Sequence, residues 1–363
     1  MSDTPSTPLG MRKLSKLGLA IAVAGALIQL VLAVYYLAMA HSPAPRDLPV
    51  GVVGSAEQQA QAEQLEKDGE FRVETYDSAA ALQQAIKERE AYGGVAFEGQ
   101  TPTLYVASAA APSVANLFRS EYTKVYQGQI AQQVEQLRTA GKPVPVDVLT
   151  ALTTPPPVTD VVPLPEDDSN GSSLGFVIQA LCLGGSIASL ALGRLRGLTE
   201  RSTMRGLGHA SLLIVYALAS SAVGLLAMRL FGVGDGASQL ELFGGLALIS
   251  LAVTASTAAF VALLGPAGSL VGGLYFTVGL IISGSSIPPE MLPSFGHAVG
   301  QALPPGAGAT VARDAMYFPD AATSGPFVVL VLYAVIGLGV ILVSNAAANR
   351  TRFGRVLLRS SSA

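Results

Sequence analysis

Long uninterrupted apolar runs constrain this chain more than any other feature. Six segments are almost free of charge, at about 17–40, 174–193, 207–231, 242–264, 268–287 and 326–344. Each is near the roughly 20 residues that a helix needs to cross about 30 Å of hydrocarbon. Half of the residues are hydrophobic and only 13% are charged, against about 25% in soluble proteins. The expectation is an α-helical integral membrane protein with six transmembrane helices. The first run follows Arg12, Lys13 and Lys16, as a signal peptide would. Its apolar part exceeds the 7–15 residues of a signal h-region, so it reads as a retained anchor.

Charge sets the expected orientation, because basic residues collect on the cytoplasmic side. They cluster before the first run, between the second and third (Arg194, Arg196, Arg201, Arg205), and after the sixth (Arg350, Arg352, Arg355, Arg359). Both termini are therefore expected in the cytoplasm of a multi-pass inner-membrane protein. The resulting map is a cytoplasmic N-terminus at 1–16, the first helix at 17–40, an extracytoplasmic stretch at 41–173, a five-helix membrane domain at 174–346 and a basic cytoplasmic tail at 347–363. The stretch 41–173 is acidic and soluble in character. Its pattern alternates strand-like pieces ("DLPVGVVGS", "FRVETY", "YGGVAFE", "PTLYVAS") with helical ones. The order βαβαββα predicts a small α/β domain inserted between helices 1 and 2. The proline-rich "KPVPVDVLTALTTPPPVTDVVPLP" then predicts extended chain returning to the membrane.

The motifs of several chemistries are missing. No G-x-x-x-x-G-K-[ST] phosphate loop, G-x-S-x-G or H-E-x-x-H occurs. Cys182 is the only cysteine, and His41, His209 and His297 are scattered, so neither a disulfide nor a metal site can be drawn. No catalytic residue, cofactor or nucleic-acid contact is expected, and enzymatic activity is not. The spans are nearly devoid of ionisable groups, which argues against an ion-coupled carrier.

One stretch does not fit a plain bundle. Between the fifth and sixth runs, "SGSSIPPEMLPSFGHAVGQALPPGAGATVARDAMYF" holds five prolines around a short apolar piece. Proline-broken backbone is tolerated at membrane depth only when buried in protein or lining a wet cavity. Met291, Leu292, Phe295, Val299 and Leu303 are expected to form one apolar face, with prolines as stops on both sides. A loop lying on the bilayer surface accounts for the same composition.

One N-terminal span, a large insertion and five further spans resemble the membrane subunits of type-2 ABC exporters, most closely the Pip/YhgE (phage infection protein) branch of actinobacterial type. "LPVGVVGS" after the first span, the re-entry segment "VTDVVPLPEDDSNGSSLGF", and the proline pattern after the fifth span carry the resemblance. That last pattern maps onto Gly284, Pro288, Pro289, Leu292, Pro293, Leu303, Pro304 and Arg313; "LPPGAGATVARD" is richer in Gly and Pro than the family form. The resemblance implies an outer gate or re-entrant segment built from Pro288, Pro289, Met291, Leu292, Pro293, Phe295, Leu303, Pro304 and Arg313. It also implies an ATPase-coupling loop with Arg194, Arg196, Glu200, Arg201 and Arg205. The implied protein is a permease subunit, energised by a separate ATPase chain. It works as a homodimer or heterodimer among membrane lipids and exports an amphipathic or lipid-like cargo. The rival is a membrane-anchored, receptor-like surface protein whose outer domain binds an envelope component or partner.

Overall fold

The computed structural model describes residues 11–98, 101–197 and 202–360. It divides into two units, Met1–Pro43 and Ala44–Ala363. The first unit holds one helix, α1 (Met11–Ala40), apolar enough to span a bilayer over Gly18–Ala40.

The second unit opens with β1 (Leu48–Val53), α2 (Ala56–Ala62), β2 (Phe71–Thr75), α3 (Ala79–Lys87), β3 (Gly93–Ala96), β4 (Thr103–Val106) and α4 (Pro112–Thr139). Ser55 and Ser78 cap α2 and α3, each accepting a backbone N–H of the first turn. The strands order as β2-β1-β3-β4-β5, antiparallel only between β3 and β4. The last strand, β5 (Val158–Asp160), comes from the proline-rich return and pairs with β4. The same return also contains a helix, α5 (Val146–Ala151), in place of the expected extended chain. The prolines flank those six residues rather than interrupt them, and Pro145 occupies the N-cap.

Next come α6 (Ser173–Gly197), α7 (Thr203–Leu230), α8 (Gln239–Leu264), α9 (Leu270–Leu274), α10 (Ser294–Ala302), α11 (Pro304–Tyr317) and α12 (Ser324–Ser360). Among the described residues, five helices are long and apolar enough to cross a membrane, one of them a continuous stretch Gln239–Gly279. The six-helix expectation thus meets five such helices, because its fourth and fifth runs fall in that single stretch. The stretch is not straight. Gly265 adopts φ +67°, a 3₁₀ turn spans Gly265–Ser269, and the chain doubles back on α8. A Cβ on Gly268 would lie 2.1 Å from the Phe260 carbonyl carbon, one on Gly272 3.1 Å from Thr257, and Tyr275 Oη is 3.2 Å from Ser256 Oγ. These pairs keep a nearly constant residue-number sum, the mark of antiparallel neighbours. The return leg is α9, then a π-helical turn at Tyr275–Gly279, then irregular chain. No part of it is a regular helix of spanning length.

α8 is the centre of the bundle. It is buried on every face from Ala252 through Ala259 and on one side from Leu242 to Ser250, as expected of a helix that is apolar all round. α7 instead buries Leu213, Ala217, Ser221 and Met228 and exposes Leu212, Val215, Val223 and Leu226, an apolar outer face suited to lipid. Small polar groups tie the helices together. Ser189 Oγ donates to Thr254 O at 2.9 Å, Ser221 Oγ to Phe243 O at 2.6 Å, and Gly337 lets α12 press on the backbone of Ala255.

Candidate functional site

The proline-rich stretch forms a hairpin of two short helices, α10 and α11, that dips alongside α8. Leu303, extended at φ −99° and ψ 151°, breaks them, and Pro304 and Pro305 start α11 where no N–H is needed. α11 runs antiparallel to α8: Val311 meets Gly245 and Gly308 meets Ile249. Counting from Ser238, the cap of α8, to Ile249 at 1.5 Å per residue, Gly308 sits about 16 Å down the helix. The tip at Leu303–Pro304 lies deeper still, where Pro305 packs on Gly279 of the return leg. Close backbone approach explains the glycines. A Cβ on Gly306 would sit 2.1 Å from Gly300 O, and one on Gly300 1.9 Å from Ile282 O.

Buried irregular backbone must find partners for its carbonyls. Here the residues 283–285 are served by side chains of the hairpin. Arg313, itself buried, donates from Nη1 to Gly284 O and from Nη2 to Ser285 O, both at 2.9 Å. Gln301 Nε2 donates to Ser283 O at 3.2 Å and is held by Thr310, whose hydroxyl donates to Gln301 Oε1 at 3.0 Å. Ser283 and Ser285 hydroxyls share a 2.8 Å bond.

The upper end of the hairpin is fastened to the sheet domain by a second set of charges. Arg89 forms an ion pair with Asp314, which is buried and also accepts from Thr323 Oγ1 at 3.1 Å. The Arg89 guanidinium lies 5.6 Å from the Phe318 ring centroid, within cation–π range. Tyr92 Oη donates to Glu290 Oε2 at 2.6 Å. Arg46 donates its backbone N–H to Glu290 O at 2.8 Å and its Nη1 to Met291 O at 3.1 Å. Burial disfavours the Arg89 charge, but Asp314, with Tyr92 and Glu290, more than restores it, so its pKa lies above the ordinary value. Burial first, and then the Glu290 charge, likewise push the Tyr92 hydroxyl up. Apolar packing is shared too: Met291 and Phe318 belong to the same core as Leu48, Leu82, Ile86 and Val114. The α/β fold and the hairpin are therefore one packed body, not a tethered domain beside a bundle.

Of the residues singled out in the proline-rich stretch, Pro288, Pro289, Met291, Leu292, Pro304 and Arg313 are buried, while Pro293 and Leu303 are half-buried. Phe295 is 65% exposed, so it does not share an apolar face with Met291 and Leu292. α10 turns Gly296 and Gly300 inward instead, and at Gly300 the return leg comes too close for a larger side chain. In the basic loop, Arg194 and Arg196 fall in the last turns of α6, and Arg205 is exposed in the first turn of α7. Glu200 and Arg201 lie outside the described residues. Sequence reasoning missed Arg46, Arg89, Tyr92, Glu290, Gln301 and Asp314. The one local signal was "ARDAMYF", adjacent opposite charges in an otherwise apolar, Gly-rich stretch.

A lateral groove of about 1120 Å³ opens between α6 and α7. Phe176, Leu181, Val223 and Met228 form its apolar walls, with Asp167 and Tyr317 at one end.

Residues 18–343 match the family model described as ABC-2 family transporter protein. No curated protein and no solved structure matches the chain. Such family members are membrane components of ABC transporters and normally work with an ATPase partner. A match over nine-tenths of the chain, on a bundle of apolar helices with this layout, places it: the chain belongs to the ABC-2 family of transporter membrane proteins.

Proposed function

We propose that this chain is the permease subunit of an ABC exporter, in which the α10–α11 hairpin is the outer gate of the translocation path. The observation that carries the gate is the buried, proline-broken hairpin beside α8, held at its tip by backbone contacts and at its outer end by the sheet domain. Short helices with little intrinsic stability, fixed by tertiary contacts, can be released without unfolding the bundle. In this reading the chain crosses the membrane six times, the return leg after α8 being the fifth crossing. Both termini are cytoplasmic and the α/β fold is extracytoplasmic. The permease is a dimer, and its proline pattern resembles that of the Pip/YhgE branch. An amphipathic or lipid-like cargo fits the α6–α7 groove, which has apolar walls and an acidic end.

A separate ATPase docks on the cytoplasmic loop containing Arg194, Arg196, Glu200, Arg201 and Arg205. Arginine suits paired contacts with carboxylates on such a partner. Reversal of Arg201 and Arg205 to Glu is expected to abolish copurification of the ATPase encoded with this chain, while membrane insertion stays normal. Retention of the complex in that variant would reduce the loop to a topology signal. Absence of any ATPase from the unaltered complex would favour the anchored surface-protein reading instead.

A further inference from the structure

The sheet domain contains a cavity that the export machinery described above does not use. β1 points Gly51 toward Leu82 of α3, and its alternate residues Val50 and Val52 toward the opposite face. On that opposite face α4 lies on the sheet over its first turns: Val114 and Ala115 are buried, Phe118 and Tyr122 pack with Leu104 and Val106, and the Tyr122 hydroxyl donates to Pro102 O. Further along, α4 becomes exposed while its apolar residues persist; Val125 is 56% exposed. The wedge left between them has a cavity volume of about 620 Å³. Val52, Val95 and Leu104 form its floor, and Phe118, Tyr122 and Tyr126 its roof. Volumes of about 300–1,000 Å³ with mainly apolar walls are typical of small-molecule sites. The membrane groove between α6 and α7 can be filled by lipid by default; this cavity lies in the charged part of the chain, where water would otherwise wet it.

The polar lining decides what kind of molecule fits. Glu70, Glu121, Gln129, Tyr122 and Tyr126 bring its polar groups; neither lysine nor arginine lines it among the described residues, but Lys124 at the rim holds Glu121 at 2.7 Å, which leaves the rim with one net negative charge. A net negative rim and two tyrosine rings favour a positive head and oppose a phosphate, sulfate or carboxylate head. We infer that this cavity binds the apolar chain of a cationic amphiphile, with its head at Glu70. The site does not depend on the ATPase, so it can be occupied whether or not the export reading holds.

The chain has no tryptophan, so Tyr126→Trp supplies a single reporter in the full-length protein, reconstituted in phosphatidylcholine nanodiscs. Chain-brominated dodecyltrimethylammonium should quench it saturably. Brominated dodecyl sulfate should bind about two- to fivefold more weakly, the effect of one net exposed carboxylate. Adding Val95→Phe, which fills the floor, should abolish saturable quenching. Adding Glu70→Lys and Glu121→Lys, both at the surface, should instead reverse the preference toward the sulfate. Non-saturating quenching, equal affinity for both heads, or indifference to the charge reversal would overturn the assignment. So would a dimer, detected by light scattering, whose formation shields the reporter, because the wedge would then be an interface between two copies.

Discussion

Arg89 occupies a backbone position that arginine does not favour. It follows the last turn of α3 with φ +59°, the left-handed conformation that usually falls to Gly or Asn after a helix. An L-residue there costs about 1–2 kcal/mol. What offsets the strain is the buried pair with Asp314 and the Phe318 ring. Arg89→Ala keeps the strain and leaves Asp314 buried without its partner, and should destabilise the protein by about 3–5 kcal/mol. Arg89→Gly loses the same pair but relieves the backbone, and should be less damaging by about 1 kcal/mol. Combining Arg89→Ala with Asp314→Asn should recover part of the loss, since the second change removes the stranded charge. Thermal unfolding of the purified protein checks all three; an Arg89→Ala variant, which keeps the strain, as stable as the parent would show that the pair contributes nothing.

For the hairpin, the corresponding question is what keeps a broken backbone inside the bundle. The fork of Arg313 spans two successive carbonyls at 2.9 Å each, a geometry that an ammonium cannot reproduce. Arg313→Lys should therefore lower stability by about 1–3 kcal/mol, the cost of stranding a buried carbonyl, and should open 283–287 to protease before the rest of the chain. Unchanged protease resistance would mean that the carbonyls find other donors. α10 was legible in the sequence, because prolines bracket a short apolar piece. α11 was not: the first five residues of "PPGAGATVARDAMY" hold two prolines and two glycines, which read as loop, and those glycines are there because α8 and α10 come too close for larger side chains. Four strands of the sheet were legible from apolar runs, alternation and turn residues, but β5, in the proline-rich return, and the contacts joining the sheet to the hairpin were not. Arg89 and Asp314 are 225 residues apart, Tyr92 and Glu290 198, and no local pattern encodes such a pairing. The fourth and fifth apolar runs were visible as composition. That the second of them returns as a broken leg, and not as a regular helix, depended on Gly265 and on contacts with α8.

For the whole molecule, the number of crossings decides whether a gate at the hairpin faces the outside at all. Gly175, near the start of α6, lies beside Ser285 and Ser286, so the return leg climbs from the far end of α8 to the end that bears the sheet domain. If the basic loop between α6 and α7 is cytoplasmic, the Gly265 turn shares its side, and the sheet domain with the α11–α12 connection lies opposite. Four exposed positions test this with single cysteines in a Cys182→Ala background: Gln133, Thr203, Ala267 and Asp320. In intact cells a membrane-impermeant maleimide should label cysteine at Gln133 and Asp320. Cysteine at Thr203 and Ala267 should react only after permeabilisation. Each pair of neighbouring positions brackets one step of the path. Gln133 against Thr203 tests α6, and Thr203 with Ala267 tests the paired passage through α7 and α8. Ala267 against Asp320 tests the return leg. Labelling of Ala267 from outside would leave α8 and its return leg without the paired crossings the gate requires. Labelling of Asp320 only after permeabilisation, with Gln133 accessible, would contradict the packing of Arg89 on Asp314, because the two ends of that ion pair would lie on opposite sides of the membrane.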